Sequence, residues 1–167
     1  MDVGLLIVRL VFGAIMAAHG VQKLVTWFGG YGFVGTGAFF EALGFRPGQL
    51  FAALAGLAEL VGGLLLAVGL FEPIAAMAII AVMITATGSV HWGHGLFAAT
   101  NGVEVPLLYA TAAAALTLTG PGAYSLDAIC GLVSVWTPAL KALAIALGVV
   151  AVGIRAVGVV VGQLGAG

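Results

Sequence analysis

Apolar runs long enough to cross a lipid bilayer fill most of this chain, and nothing else limits its fold so strongly. A hydrocarbon core of about 30 Å calls for about 20 predominantly apolar residues per helix. Candidate spans cover residues 3–25, 50–70, 74–90 and 105–119, with a fifth at 139–161. The fourth is short, which tilt or a thinned bilayer accommodates. Transmembrane β-strands alternate with period two, and Ala112-Ala113-Ala114-Ala115 does not. The expected fold is all-α: an integral membrane helical bundle with four helices in residues 1–137, plus an additional C-terminal transmembrane helix in 138–167.

Composition agrees and excludes other classes. Charged residues make up 7% and hydrophobic ones 63% of the chain, against about 25% and about 45–50% in soluble domains. So few charges cannot clothe a water-exposed surface, and so much apolar side chain is foreign to disorder. Five Lys and Arg against six Asp and Glu form no basic stripe, so membrane lipid is the expected partner and nucleic acid is not. Glycine is frequent, 27 of 167 residues, which suits closely packed helices in lipid. Cys130 is the single cysteine, so no intrachain disulfide or dithiol pair is available and redox chemistry would draw on a partner or a bound cofactor. Asp2 stands where a signal peptide carries basic residues, and the apolar run behind it is longer than a signal h-region; we expect a retained first helix. Arg9 and Lys141 fall toward one membrane face and Lys23, Arg46 and Arg155 toward the other, an asymmetry too small to orient the chain.

The connections carry further signals. Residues 28–49 are rich in glycine and aromatic rings, and 37–43 suit one or two turns of interfacial helix. Trp27, Phe28, Tyr31 and Phe33 are expected at headgroup level, as an aromatic belt or as part of a lid. Pro73 suits the first turn of a new helix, and Ser125 is a candidate helix cap. In the last segment, Gly158-x-x-x-Gly162 has the spacing of close helix contact.

Ionisable groups inside a span usually face protein or water, because each costs about 2.5–3.5 kcal/mol at the bilayer centre. Arg9 lies about 9 Å into the first helix, and Glu59 about 16 Å from the same face in the antiparallel second. An Arg9–Glu59 pair is therefore expected, either as a register lock or as part of a site. Toward the opposite face, His19, Gln22 and Lys23 share one side of the first helix. His91 and His94 close the third span and Glu104 opens the fourth. Three readings of this cluster stand open. It is a metal site, for which His91-x-x-His94 is a weak pattern that makes metal the least favoured cofactor; a polar pocket for a headgroup or quinone, with Lys23 or a histidine donating to a carbonyl oxygen; or a wet interfacial cap with a snorkelling lysine.

Several of these segments, taken in order, resemble the DoxX family of small bacterial membrane proteins. Arg9-Leu10-Val11-Phe12-Gly13 followed by Gly20-Val21-Gln22-Lys23-Leu24 is similar to the family's opening signature. Ala58-Glu59-Leu60-Val61-Gly62-Gly63-Leu64 resembles its second-helix motif, and His91-Trp92 with Gly95-Leu96-Phe97, Asn101-Gly102 and Glu104 its third loop. Gly120-Pro121-Gly122 with Ser125-Leu126-Asp127 looks like the segment closing the fourth helix. The resemblance spans residues 3–130; His94 and the helix after Pro138 stand outside it. It implies a DoxX-like four-helix core in the bacterial plasma membrane, with Arg9 and Glu59 among the signature residues. It also implies a link to oxidoreductases acting on thiosulfate and quinone, and partner proteins in a membrane redox or thiol-stress complex. A non-enzymatic lipid-binding, transport or scaffold protein is the alternative.

Overall fold

The computed structural model describes residues 1–150. Helices account for its regular structure, and no strand occurs among the described residues. They are α1 (Asp2–Leu24), α2 (Gly32–Ala42), α3 (Gly48–Val68), α4 (Glu72–Ala86), α5 (Glu104–Thr119), the single-turn α6 (Leu126–Ile129) and α7 (Pro138–Val150). Among the described residues three helical stretches are long and apolar enough to cross a membrane: Asp2–Leu24, Gly48–Val68 and Glu72–His94. The third extends α4 through a π-helical turn, Thr87–His91, and a short 3-10 turn. With 16 residues, α5 reaches about 24 Å at 1.5 Å per residue, short of a full span without tilt or thinning.

A bundle of α1, α3, α4 and α5 forms the core, and its seam is legible in the burial pattern. In α1 the buried residues are Arg9, Phe12, Gly13, Met16, Ala17 and Gly20, spaced three and four apart as one helical stripe requires. In α3 the stripe is Ala52, Gly56, Glu59, Gly62, Gly63 and Leu66. The two stripes meet antiparallel with almost no side chain between them. A Cβ on Gly63 would come within 2.5 Å of the Ala17 nitrogen and 2.6 Å of the Gly13 carbonyl oxygen. One on Gly20 would strike the backbone of Gly56 and Leu60. Small residues are what permit this approach in lipid, where packing rather than water drives association. On the far side, Phe12, Met16, Leu66, Ile79, Ile80, Met83 and Leu116 interdigitate as the buried core.

The α3–α4 turn sets the next register. Gly69 takes the left-handed conformation (φ 67°) that ends α3, a position that suits glycine. Pro73 sits in the first turn of α4 as expected. No side chain of the turn itself caps α4. The Asp127 carboxylate, 55 residues further on, accepts the Phe71 and Glu72 amides at 3.0 and 3.3 Å and the Trp136 indole N–H at 3.1 Å. Ser125 caps α6 by accepting the Ala128 amide at 3.1 Å. The described part of the C-terminal helix, α7, lies on α4, where a Cβ on Gly148 would meet the Met77 carbonyl and Ile80. Arg155, the Gly158-x-x-x-Gly162 stretch and the rest of the span expected at 139–161 lie outside the described residues.

Candidate functional site

The buried charges do not pair as the sequence suggested. Arg9 and Glu59 are both buried, at 0% and 1% exposure, but Glu59 bonds Lys23, Nζ to Oε2, at 2.5 Å. Helix direction explains the correction. A helical side chain leans toward its own N-terminus. Glu59 lies level with the residues about Gly20, since Gly20 abuts Leu60 and Gly56. Lys23, about one turn further along, leans back onto it, and Glu59 leans toward Lys23 in the antiparallel helix. Arg9 leans the other way, to the α3–α4 turn, where its guanidinium covers Gly69 and donates to the Tyr124 carbonyl at 2.5 Å. Ten residues of α3 separate that level from Glu59, about 15 Å of helix.

Arg9 instead belongs to a second cluster that sequence reasoning missed, with Glu72, Asp127 and Lys141. Glu72 and Asp127 are fully buried, and Arg9 attracts both electrostatically, with Lys141 of α7 a further cation near Glu72. The positions were readable as charges, but nothing local signals that α6, 55 residues beyond Glu72, closes over it.

Around the Lys23–Glu59 pair lies a cavity of about 610 Å³, within the range of small-molecule sites. Its walls come from α2 and the segment after it (Phe39, Phe40, Phe45), from α3 (Phe51, Ala55, Ala58) and from α4 (Ala78, Ala81, Val82). Alanines on α3 and α4 keep the slot open, while Phe40, Phe45 and Phe51 pack ring against ring, with centroids 5.7 and 5.2 Å apart. Among the described residues the polar lining is confined to Lys23, Glu59, Thr85, Ser89 and His91. Ser89 and His91 reach it from the π-helical turn that ends α4, a distortion often found at functional sites.

The structure thus divides the six polar residues grouped by sequence. Lys23 and His91 line the cavity. His19 instead stacks near Tyr109, centroids 5.8 Å apart. Gln22 donates to the Phe28 carbonyl at 2.8 Å, Glu104 accepts the Ala98 amide at 2.7 Å, and the His94 side chain is exposed, its backbone carbonyl accepting from Thr100. Glu104 and the His91–Asn101 contact thereby fold residues 92–104 into a strap beside the cavity. Among the described residues no three His, Cys, Asp or Glu side chains converge on one point. The interfacial helix expected at 37–43 is longer, Gly32–Ala42, and the aromatic wall that follows it was missed as a site. Trp27, Phe28, Tyr31 and Phe33 are exposed.

A model of the DoxX family matches residues 4–92, just over half of the chain and nearly all of the three long apolar stretches among the described residues. No curated protein and no solved structure matches it.

Proposed function

The chain belongs to the DoxX family, a family of helical membrane proteins, and from that premise we propose a membrane subunit of a redox or thiol-stress complex that holds a quinone-class molecule between α2, α3 and α4. The reading rests on one observation: an aromatic and alanine-lined cavity with an ion pair on its wall, between half-buried Lys23 and buried Glu59. A ring with an apolar tail matches that division, because the ring stacks against phenyl faces while its oxygens take the polar end. Lys23 has three N–H donors and uses one on Glu59, which leaves donors for a ring oxygen. Cys130 is a lone thiol, so electrons would come from partner proteins docked on the membrane subunit. The bacterial plasma membrane, where quinones dissolve, is the setting this requires.

Organic extraction of the purified protein, followed by mass spectrometry, tests the reading. We expect quinone to co-purify, with occupancy at least about tenfold lower in Lys23→Met, the factor that about 1.4 kcal/mol of lost bonding produces. Lys23→Met leaves Glu59 buried without its partner, so a double Lys23→Met/Glu59→Leu variant, which removes both charges, gives the same measurement in a neutral core. Extracts containing phospholipid alone would replace this function with the lipid-binding or scaffold one.

A further inference from the structure

The polar lining of the cavity has a donor and acceptor balance that selects one redox form of its guest. Ser89 Oγ donates its single hydrogen to the Thr85 carbonyl at 2.6 Å, and Thr85 Oγ1 donates to the Ala81 carbonyl at 2.8 Å. A hydroxyl has one hydrogen and two lone pairs, so what either lining residue has left for a guest is an acceptor. His91 Nδ1 lies 2.8 Å from the Asn101 carbonyl oxygen. A carbonyl only accepts, so Nδ1 carries the hydrogen and Nε2 of the neutral ring is an acceptor. Glu59 is an acceptor as a carboxylate, which leaves Lys23 as the sole donor among the described polar lining residues.

A dione bears acceptor oxygens and no donor. One oxygen would bond Lys23, and the other would face lone pairs of Ser89, Thr85 or His91. The reduced ring has two hydroxyls, each able to accept and to donate, so one accepts from Lys23 while hydrogens remain for the acceptors. Matching buried polar groups matters because an unmatched one loses its bonds to water without replacement. We propose that the cavity binds the dihydroxylated, reduced form of a tailed ring amphiphile in preference to the dione. This rests on the quinone-class reading and deepens it: the site is built to hold quinol, the product of quinone reduction or the substrate of quinol oxidation.

The test is equilibrium binding of a radiolabelled decyl-tailed benzoquinone and the corresponding benzoquinol to the full-length protein in lipid nanodiscs under strict anaerobiosis. The quinol should bind about tenfold more tightly, the effect of one net hydrogen bond of about 1.4 kcal/mol. Ser89→Ala, Thr85→Val and His91→Phe, each close in shape to the original, should narrow that ratio by weakening the quinol and leaving the dione unchanged. Equal binding of the two forms, tighter binding of the dione, or variants that weaken both forms alike would overturn the preference while leaving a quinone-class site standing. Failure of both forms to bind would overturn the preference and the quinone-class reading together.

Discussion

Arg9→Met should destabilise the folded protein by about 3–5 kcal/mol, the cost of removing one partner from a buried charge cluster, and Arg46→Met should change it by no more than about 0.5 kcal/mol. Both substitutions remove one arginine from an apolar chain; only their surroundings differ. Arg46 is exposed. Arg9 is fully buried, donates to the Tyr124 carbonyl and is the leading positive influence on Glu72. Without it, two buried carboxylates share the α4 N-terminus, and Lys141 is the further cation acting on Glu72 among the described residues. Thermal unfolding in detergent, followed by circular dichroism, reads the difference. If the two variants melt together, the Arg9–Glu72–Asp127 cluster does not hold the bundle.

Gly63→Val should abolish the folded particle, with a cost above about 3 kcal/mol, the upper end of ordinary overpacking. A Cβ there meets the Ala17 nitrogen and Gly13 carbonyl of α1, and backbone atoms cannot swing aside as side chains do. The helices would have to separate along the whole seam, moving Lys23 off Glu59. Gly4→Val serves as the comparison, since nothing lies within 4 Å of a Cβ at that position. Size-exclusion chromatography of fluorescently tagged protein should show a single peak for Gly4→Val and aggregate for Gly63→Val. A single peak for both would mean that α1 and α3 are not in backbone contact.

The architecture was largely written in the apolar runs, whereas the register of α1 against α3 was not read from them. Counting depth from the helix ends brought Arg9 near Glu59, because that count ignores which way side chains lean. A better signal was present. Gly13 and Gly20 are seven residues apart, as are Gly56 and Gly63, and matching them antiparallel sets Lys23 level with Ala53 and Arg9 level with Ala67, from where each side chain leans back toward Glu59 and Gly69 respectively. Local chemistry was more transparent: Ser125 caps α6, and Pro73 opens α4. Asp127 illustrates the opposite limit. It serves α4 from α6, 55 residues beyond Glu72, and no window of sequence contains both partners.

For the site, sequence grouped residues by membrane face, which is coarser than a cavity. Lys23 and His91 do reach the same space. His19 and Gln22 lie on the same helix as Lys23 but bond or stack elsewhere. The aromatic wall after α2 was legible only as rings near an interface, because a stretch that serves as belt or as lid has the same composition. The donor and acceptor balance of Thr85 and Ser89 depends on hydroxyls bonded to carbonyls four residues back, a conformation that a letter in a sequence does not specify.

Native mass spectrometry of the detergent-solubilised protein probes the cavity itself when wild type is set beside Ala81→Phe, which places a phenyl ring in the slot between α3 and α4. One quinone-class molecule is expected per wild-type chain and none on the folded Ala81→Phe variant, with annular phospholipid equal on both. A quinone-class adduct that survives the filled slot, or wild-type protein carrying phospholipid alone, would contradict that expectation.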